Sequence, residues 1–352
     1  MGIFSLVKKA SEMKASDLHI SVGIPPTYRV NGSLVPVGEQ DLSSADTEYF
    51  VRELLSEEQW QTVQRKGELD LSLSAPNRQR FRLNVFRQRG SYSMAIRLIH
   101  SQIPSIEALG LPSIVRNLCR KIRGIILVTG PSGSGKSTTL ASMIDLINSE
   151  RDCHIITLED PIEYLHKHKR SIVNQREIGS DSMSYANALK AVLRQDPDVI
   201  LIGEMRDLET IRIALTAAET GHLVLSTLHT IGAVKTIDRI VDAFLPHQQQ
   251  QIRVQLSMTL EAVISQQLIA TIHNKGRVAA VETMVVNPAI RNLIREGKTH
   301  QIMNVIQTSA NSGMKTMDNA LAELYKKGMI RLEDALAHAV DQEYLQSLIS
   351  YR

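Results

Sequence analysis

Cysteine is scarce. The 352 residues hold only Cys119 and Cys153, far apart and outside any CxxC or Cys/His spacing. That excludes a disulfide scaffold and a zinc site of that type, and it predicts buried free thiols in a reducing compartment. Aromatic residues are few, with five Phe and one Trp, so material for stacking single-stranded nucleic acid is thin. Charge of one sign is lacking too. Lys and Arg number 40 against 37 Asp and Glu, a formal net charge of +3, which leaves no electrostatic footprint for a nucleic-acid partner. No apolar run approaches the ~20 residues that span a bilayer. The longest, such as 125–128 and 199–202, have the length of buried strands. The first residues lack a signal-peptide core, and Leu6 stands where myristoylation at Gly2 needs Ser or Thr. No internal repeat or low-complexity segment occurs. A cytoplasmic protein with no direct membrane span and no nucleic-acid partner is expected.

What is present falls into two parts, and the length suffices for two domains. Ile3, Leu6, Val7, Ala10 and Met13 recur at helical spacing and predict an opening amphipathic helix. Extended runs at 17–22 and 28–35 follow, the second broken by Asn31-Gly32, a hairpin signal because both turn positions need positive φ. A helix over 45–64 and strands over 69–73, 81–86 and 92–99 complete a small α+β domain at 1–100. Pro104, Gly110 and Pro112 mark a linker at 101–112. From 113 to 352 the pattern is α/β. Apolar runs at 125–128, 154–158, 199–202 and 223–226 alternate with helical segments such as 138–148 and 208–219, the signature of a mostly parallel sheet covered by helices. Past 246 the chain reads as helical, interrupted by a hairpin around Asn274-Lys275-Gly276.

Gly130-Pro131-Ser132-Gly133-Ser134-Gly135-Lys136-Ser137 matches the phosphate loop G-x-x-x-x-G-K-[ST] between a strand and a helix. The glycines let backbone N–H groups fold around phosphates at a helix N-terminus. Lys136 reaches the β- and γ-phosphates of ATP and Ser137 holds Mg²⁺; Thr138, next on the helix, joins the nucleotide-binding residues. The apolar run 199–202 ends on Gly203-Glu204. Gly203 occupies the place where many such enzymes carry a metal-linked aspartate, while Glu204 is placed to deprotonate or orient the attacking water. Glu159, Asp160 and Glu163 follow the run at 154–158, at the strand ends where ligands of parallel sheets gather. Glu159 and Glu163 join Ser137 as candidate Mg²⁺ ligands. His222 and His229 bracket the run at 223–226 as candidate nucleotide-site residues, His229 as a γ-phosphate sensor. His166, Lys167, His168, Lys169 and Arg170 read as a solvated basic face without a metal.

Together these segments resemble the secretion and type IV pilus ATPase superfamily. The phosphate loop, the acidic box at 157–164, the glycine-substituted second element and the histidine box at 220–230 occur in its order. Ala15-Ser16-Asp17-Leu18-His19 and Pro25-Pro26-Thr27-Tyr28-Arg29-Val30 are similar to its N-terminal PAS-like module, so the resemblance spans essentially the whole chain. Gly203-Glu204-Met205-Arg206-Asp207-Leu208-Glu209-Thr210 and the segment 289–302 are similar to the branch of pilus retraction motors. The resemblance implies a RecA-like core, a homo-hexameric ring, and a partner in the inner-membrane pilus platform that holds the ring at the membrane periphery. It also implies that Arg82 and Arg97 of the N-terminal sheet approach the nucleotide. A pilus-assembly or secretion motor is the rival within the superfamily. A nucleic-acid translocase, or a regulatory ring with incidental hydrolysis, is the rival outside that reading.

Overall fold

The computed structural model describes residues 2–30, 32–75, 80–99, 102–272 and 276–350. The chain divides into two compact units, Met1–Gln102 and Ile103–Arg352.

The first unit opens with α1 (Ile3–Glu12), whose stripe of Ile3, Leu6, Val7 and Ala10 is buried as its spacing predicts. Six strands follow: β1 (Asp17–Ile20), β2 (Thr27–Val30), β3 (Ser33–Pro36), β4 (Glu68–Ser74), β5 (Arg80–Gln88) and β6 (Ser91–Leu98). They form one antiparallel sheet in the order β3-β2-β1-β6-β5-β4. Val30 pairs with Ser33 across the expected tight turn, where Gly32 has φ of 86°; Asn31 lies outside the described residues. The single helix expected over 45–64 is two helices, α2 (Ser44–Leu54) and α3 (Glu57–Lys66). The break has a local cause. Ser56 and Gln59 form a second capping box after that of Ser43 and Asp46, and a capping box fixes a helix start.

Leu18, Ile20, Tyr28, Phe81, Leu83, Met94 and Ile96 fill the core between sheet and helices. Tyr28 donates its hydroxyl to the Leu6 carbonyl at 2.7 Å and ties α1 to the sheet. Because side chains alternate along a strand, the intervening positions share the other face. There Arg29, Asp17, Arg97 and Arg82 sit side by side in register on β2, β1, β6 and β5. Arg97 Nε donates to Asp17 Oδ1 at 3.0 Å. Burial opposes ionisation of Asp17, but the Ser16 hydroxyl and Arg97 outweigh it and hold its carboxyl below the usual value. Arg29 Nε lies 4.0 Å from Asp17 Oδ2, so this carboxylate sits between two guanidiniums, with Arg82 next in the row beyond Arg97.

In the second unit, 103–112 of the residues expected as a linker are docked. Ser142 Oγ donates to Pro104 O at 2.6 Å, and Ile106 and Leu111 are buried. After α4 (Ile114–Cys119), the elements follow as β7 (Gly124–Thr129), α5 (Lys136–Glu150), β8 (His154–Glu159), β9 (Ile172–Glu177), α6 (Tyr185–Val192), β10 (Val199–Ile202), α7 (Leu208–Glu219), β11 (Leu223–Leu228), α8 (Ala233–Asp242), α9 (Pro246–Thr259), β12 (Leu260–Ala270) and β13 (Arg277–Val285). The sheet order is β13-β12-β7-β11-β10-β8-β9, parallel throughout except for the β12–β13 hairpin. The hairpin forms as expected, although positions 273–275 lie outside the described residues. Every residue of β7, β10 and β11 is buried, because helices cover both sheet faces. Helices α10 (Pro288–Arg295), α11 (Ile302–Thr308), α12 (Met317–Lys326), α13 (Leu332–His338) and α14 (Gln342–Ser350) complete the chain.

Parallel strands send their carboxyl ends the same way. The ends of β7, β8, β10 and β11 therefore deliver Gly130, Glu159, Gly203 and His229 to one edge of the sheet.

Candidate nucleotide site

At that edge β7 stops at Thr129 and the chain turns through 130–135 into α5. Gly130, Gly133 and Gly135 have φ of 140°, 73° and 88°, a region that only glycine enters freely. A Cβ on Gly130 would collide with the backbone carbonyl of Gln266. Gly135 is the N-cap of α5 and has no side chain to cap it, so the first N–H groups of that helix remain available to an anion. Among the described residues Ser134 Oγ is buried in the loop without a hydrogen-bond partner. A cradle of this shape, with free N–H groups and an unmatched hydroxyl, fits phosphate oxygens.

Lys136 is buried and its ammonium turns back on its own loop. Nζ donates to Gly130 O and Pro131 O, both at 2.9 Å, and lies 3.4 Å from His229 Nδ1. Burial pulls its pKa below the usual lysine value, while the carboxylates of Glu204 and then Glu163 push it back up. Both acids thus act on the same ammonium.

His229 links that lysine to Glu204. Its Nε2 is 3.1 Å from Glu204 Oε1. An ammonium only donates, so Nδ1 accepts from Lys136 and the ring proton belongs on Nε2, which donates to Glu204. Arg206 Nε occupies the other carboxylate oxygen, Oε2, at 2.7 Å. Lys136, His229, Glu204 and Arg206 form one chain of polar contacts across the ends of β7, β10 and β11.

The structure also explains Gly203. A Cβ there would stand 2.8 Å from Tyr185 Oη and 3.3 Å from Leu158 O. The Tyr185 hydroxyl fills the space an aspartate would need, and burial followed by the Asp160 charge keeps that phenol protonated.

The acidic box is mostly built in. Glu159 Oε1 accepts from Thr157 Oγ1 at 2.6 Å and from Gln175 Nε2 at 3.1 Å, and burial raises its pKa. Its carboxylate serves the fold of the box first, which leaves the exposed Glu163 as the freer acid. Tyr164 Oη meets Thr138 Oγ1 at 2.9 Å and joins the box to the first turn of α5. Among the described residues no three His, Cys, Asp or Glu side chains group to hold a metal ion. Mg²⁺ binding here would rest on Ser137 with phosphate oxygens and water, the usual arrangement for an ion that keeps part of its hydration shell.

One candidate is misplaced. His222 precedes β11 and His229 follows it, so the two stand at opposite ends of the strand, ~20 Å apart at ~3.3 Å per residue. His222 Nδ1 sits 2.8 Å from Ala217 O and 3.2 Å from Thr220 Oγ1 at the end of α7. Within this chain it is not brought to the phosphate loop. Of the basic run, 167–170 are exposed as expected, and two of its cations are paired: Lys169 meets Asp145 of α5 at 2.8 Å and Arg170 meets Asp152 at 2.6 Å. His166 is half-buried, and burial lowers its pKa to about 4. Cys119 is buried, its thiol pushed up to about 12 by burial, and neither cysteine forms a disulfide.

Four residues enter the site without having been expected there: Gln175, Tyr185, Arg206 and Gln266. Only Gln266 carried a signal. Ser265-Gln266-Gln267 is a polar run in the middle of a largely apolar strand, and buried polar groups demand partners.

The comparisons agree with this geometry. The sequence pattern of the family described as Type II/IV secretion system protein matches residues 3–337. The chain is 46% identical over 335 residues to the type IV pilus retractation ATPase PilT of Pseudomonas aeruginosa, covering 95% of this chain and 97% of that one. It is 48% identical over 318 residues to a twitching motility protein of Neisseria gonorrhoeae, covering 90% and 85%. Among solved structures it is similar to the pilus retraction motor PilT with bound ADP, at a TM-score of 0.93 and 49% identity over 99% of each chain. That likeness establishes the α/β fold with a RecA-like core and a smaller N-terminal PAS-like domain. With the family pattern running from one unit through most of the other, the chain belongs to the Type II/IV secretion system protein family.

Proposed function

We propose that this chain is an ATP-hydrolysing motor that retracts type IV pili. The observation that carries the reading is the contact chain from Lys136 through His229 to Glu204 at the mouth of the phosphate loop. It is supported by similarity over nearly the whole chain to the retraction ATPase and to the ADP-bound retraction motor.

Backbone N–H groups of 133–138 and the Lys136 ammonium bind the β- and γ-phosphates. Lys136 exchanges the carbonyls of Gly130 and Pro131 for phosphate oxygens, stronger acceptors because they are charged. Ser137 would hold Mg²⁺, which would supply positive charge to the phosphate oxygens. Glu204 takes the proton of the attacking water at a carboxylate oxygen. His229 touches Lys136 on one side and Glu204 on the other, so a displacement of the lysine toward phosphate is felt at the base. Glu163 lies close enough to act on the same ammonium and serves as an auxiliary acid.

Arg82 and Arg97 supply positive charge to the transferring phosphoryl group within a homo-hexamer. Arginines in that role contribute roughly 10³–10⁵ in rate. Each alanine variant of the full chain is expected to lower kcat by more than it weakens ATP affinity, since the guanidinium acts on charge that develops in the transition state. Unchanged kcat in both would remove them from the reaction. The motor works in the cytoplasm against an inner-membrane platform protein at the pilus base.

Direction of force separates retraction from assembly. Deleting the gene is expected to leave cells with surplus surface pili that do not shorten, counted by electron microscopy. Bald cells would instead assign the chain to pilus assembly.

A further inference from the structure

The geometry points to Gln266 as a positioning residue that clamps the phosphate loop to the sheet, an inference resting on the assignment of 130–137 as the phosphate site. β12 pairs with β7 up to Ser265 opposite Thr129. The next residue on each strand is Gln266 and Gly130, at the point where β7 becomes the loop. Gln266 is buried at 1% exposure. Its Nε2 donates to Ser134 O at 2.6 Å, and its Oε1 accepts from Thr139 Oγ1 at 2.9 Å. One carboxamide therefore grips the loop before Gly135 and the helix after it. Its backbone carbonyl packs where a Cβ on Gly130 would be, and its Nε2 lies 3.1 Å from where a Cβ on Gly135 would be. The approach of this one residue excludes a side chain at Gly130 and crowds one at Gly135.

The chemistry follows from peptide geometry. In a trans peptide the carbonyl and the following N–H point in opposite directions. Anchoring Ser134 O against β12 turns the Gly135 N–H away from β12, the direction in which a phosphate oxygen must lie to accept from it. Gln266 touches no phosphate itself; it sets the aim of a donor that does. Losing the clamp frees the 134–135 peptide to rotate, so nucleotide affinity falls before the chemical step does.

Gln266→Glu tests this in the full chain, with a fluorescent methylanthraniloyl-ADP as probe. The shape is kept, but an ionised carboxylate oxygen faces the Ser134 carbonyl where an N–H donor stood. At pH 8 the variant is expected to bind ADP at least tenfold more weakly than wild type. Protonation restores a donor, so the gap to wild type narrows at pH 6, while kcat at saturating ATP falls less than affinity. A merely structural defect gives a gap that does not change with pH. Wild-type affinity at pH 8, or an equal loss at both pH values, overturns the proposal. Thr139→Val leaves Gln266 in place and keeps the branched shape, so it serves even where the glutamate variant fails to fold. It is expected to weaken ADP about threefold, and wild-type affinity in it overturns the clamp. Lys136→Ala in the same assay distinguishes the failures. Wild-type affinity there sinks the phosphate-site assignment itself, whereas wild-type affinity in the Gln266 and Thr139 variants alone sinks only the clamp.

Discussion

Changing Lys136 to alanine abolishes measurable ATP turnover and weakens nucleotide binding by about a hundredfold or more. The ammonium is buried within the loop, with its donors directed at Gly130 O, Pro131 O and His229 Nδ1. Hydrogen bonds to charged groups contribute roughly 1.5–3 kcal/mol each, so losing two phosphate contacts amounts to two orders of magnitude or more in affinity. Turnover suffers further because the same charge acts on the transferring phosphoryl. The variant is expected to stay folded. Alanine favours the first turn of α5 at least as well as lysine does, and the freed carbonyls lie beside a loop open to water. Steady-state hydrolysis and nucleotide titration, with an unfolding curve as control, read the result. Near-normal hydrolysis by a folded variant would mean that this loop is not the site.

Glu204→Gln separates binding from chemistry. Turnover is expected to fall by about 10²–10⁴, the range for loss of a general base, while ATP affinity stays within a few-fold of wild type. The carboxylate stands at the end of β10, held by His229 Nε2 on one oxygen and Arg206 Nε on the other. Glutamine keeps the length and one accepting oxygen but takes up no proton at neutral pH. It also breaks one of the two present contacts, because the amide nitrogen that replaces one carboxylate oxygen cannot accept a hydrogen bond. Turnover within a few-fold of wild type would place the base elsewhere, with Glu163 next in line.

The parts of this site that could be read from sequence are those written contiguously. The phosphate loop is a run of eight residues whose glycine φ values follow from steric necessity, and it sits between β7 and α5 as its motif requires. The strands at 125–128, 154–158, 199–202 and 223–226 were legible because burial on both faces leaves unbroken apolar runs. The break between α2 and α3 was also written locally, in the Ser56 and Gln59 capping box, but the apolar spacing runs through it. Gln266 and Tyr185 reach the site from distant segments, through pairings that periodicity does not reveal. His222 shows the opposite failure. Two histidines flanking one strand look equivalent in sequence, yet a strand has two ends, and only the carboxyl end faces the loop. Arg82 and Arg97 rest on resemblance alone; the β5–β6 register sets them opposite one another in the N-terminal sheet.

Hydrolysis at this site as the source of pilus retraction is tested most directly in living cells. The deletion strain is complemented with wild type or with Glu204→Gln, and fluorescently labelled pili are followed individually as they extend and shorten. Wild type is predicted to restore shortening events, while Glu204→Gln extends pili normally and shortens none. Shortening at wild-type frequency and speed with Glu204→Gln as the cell's only copy would contradict the account.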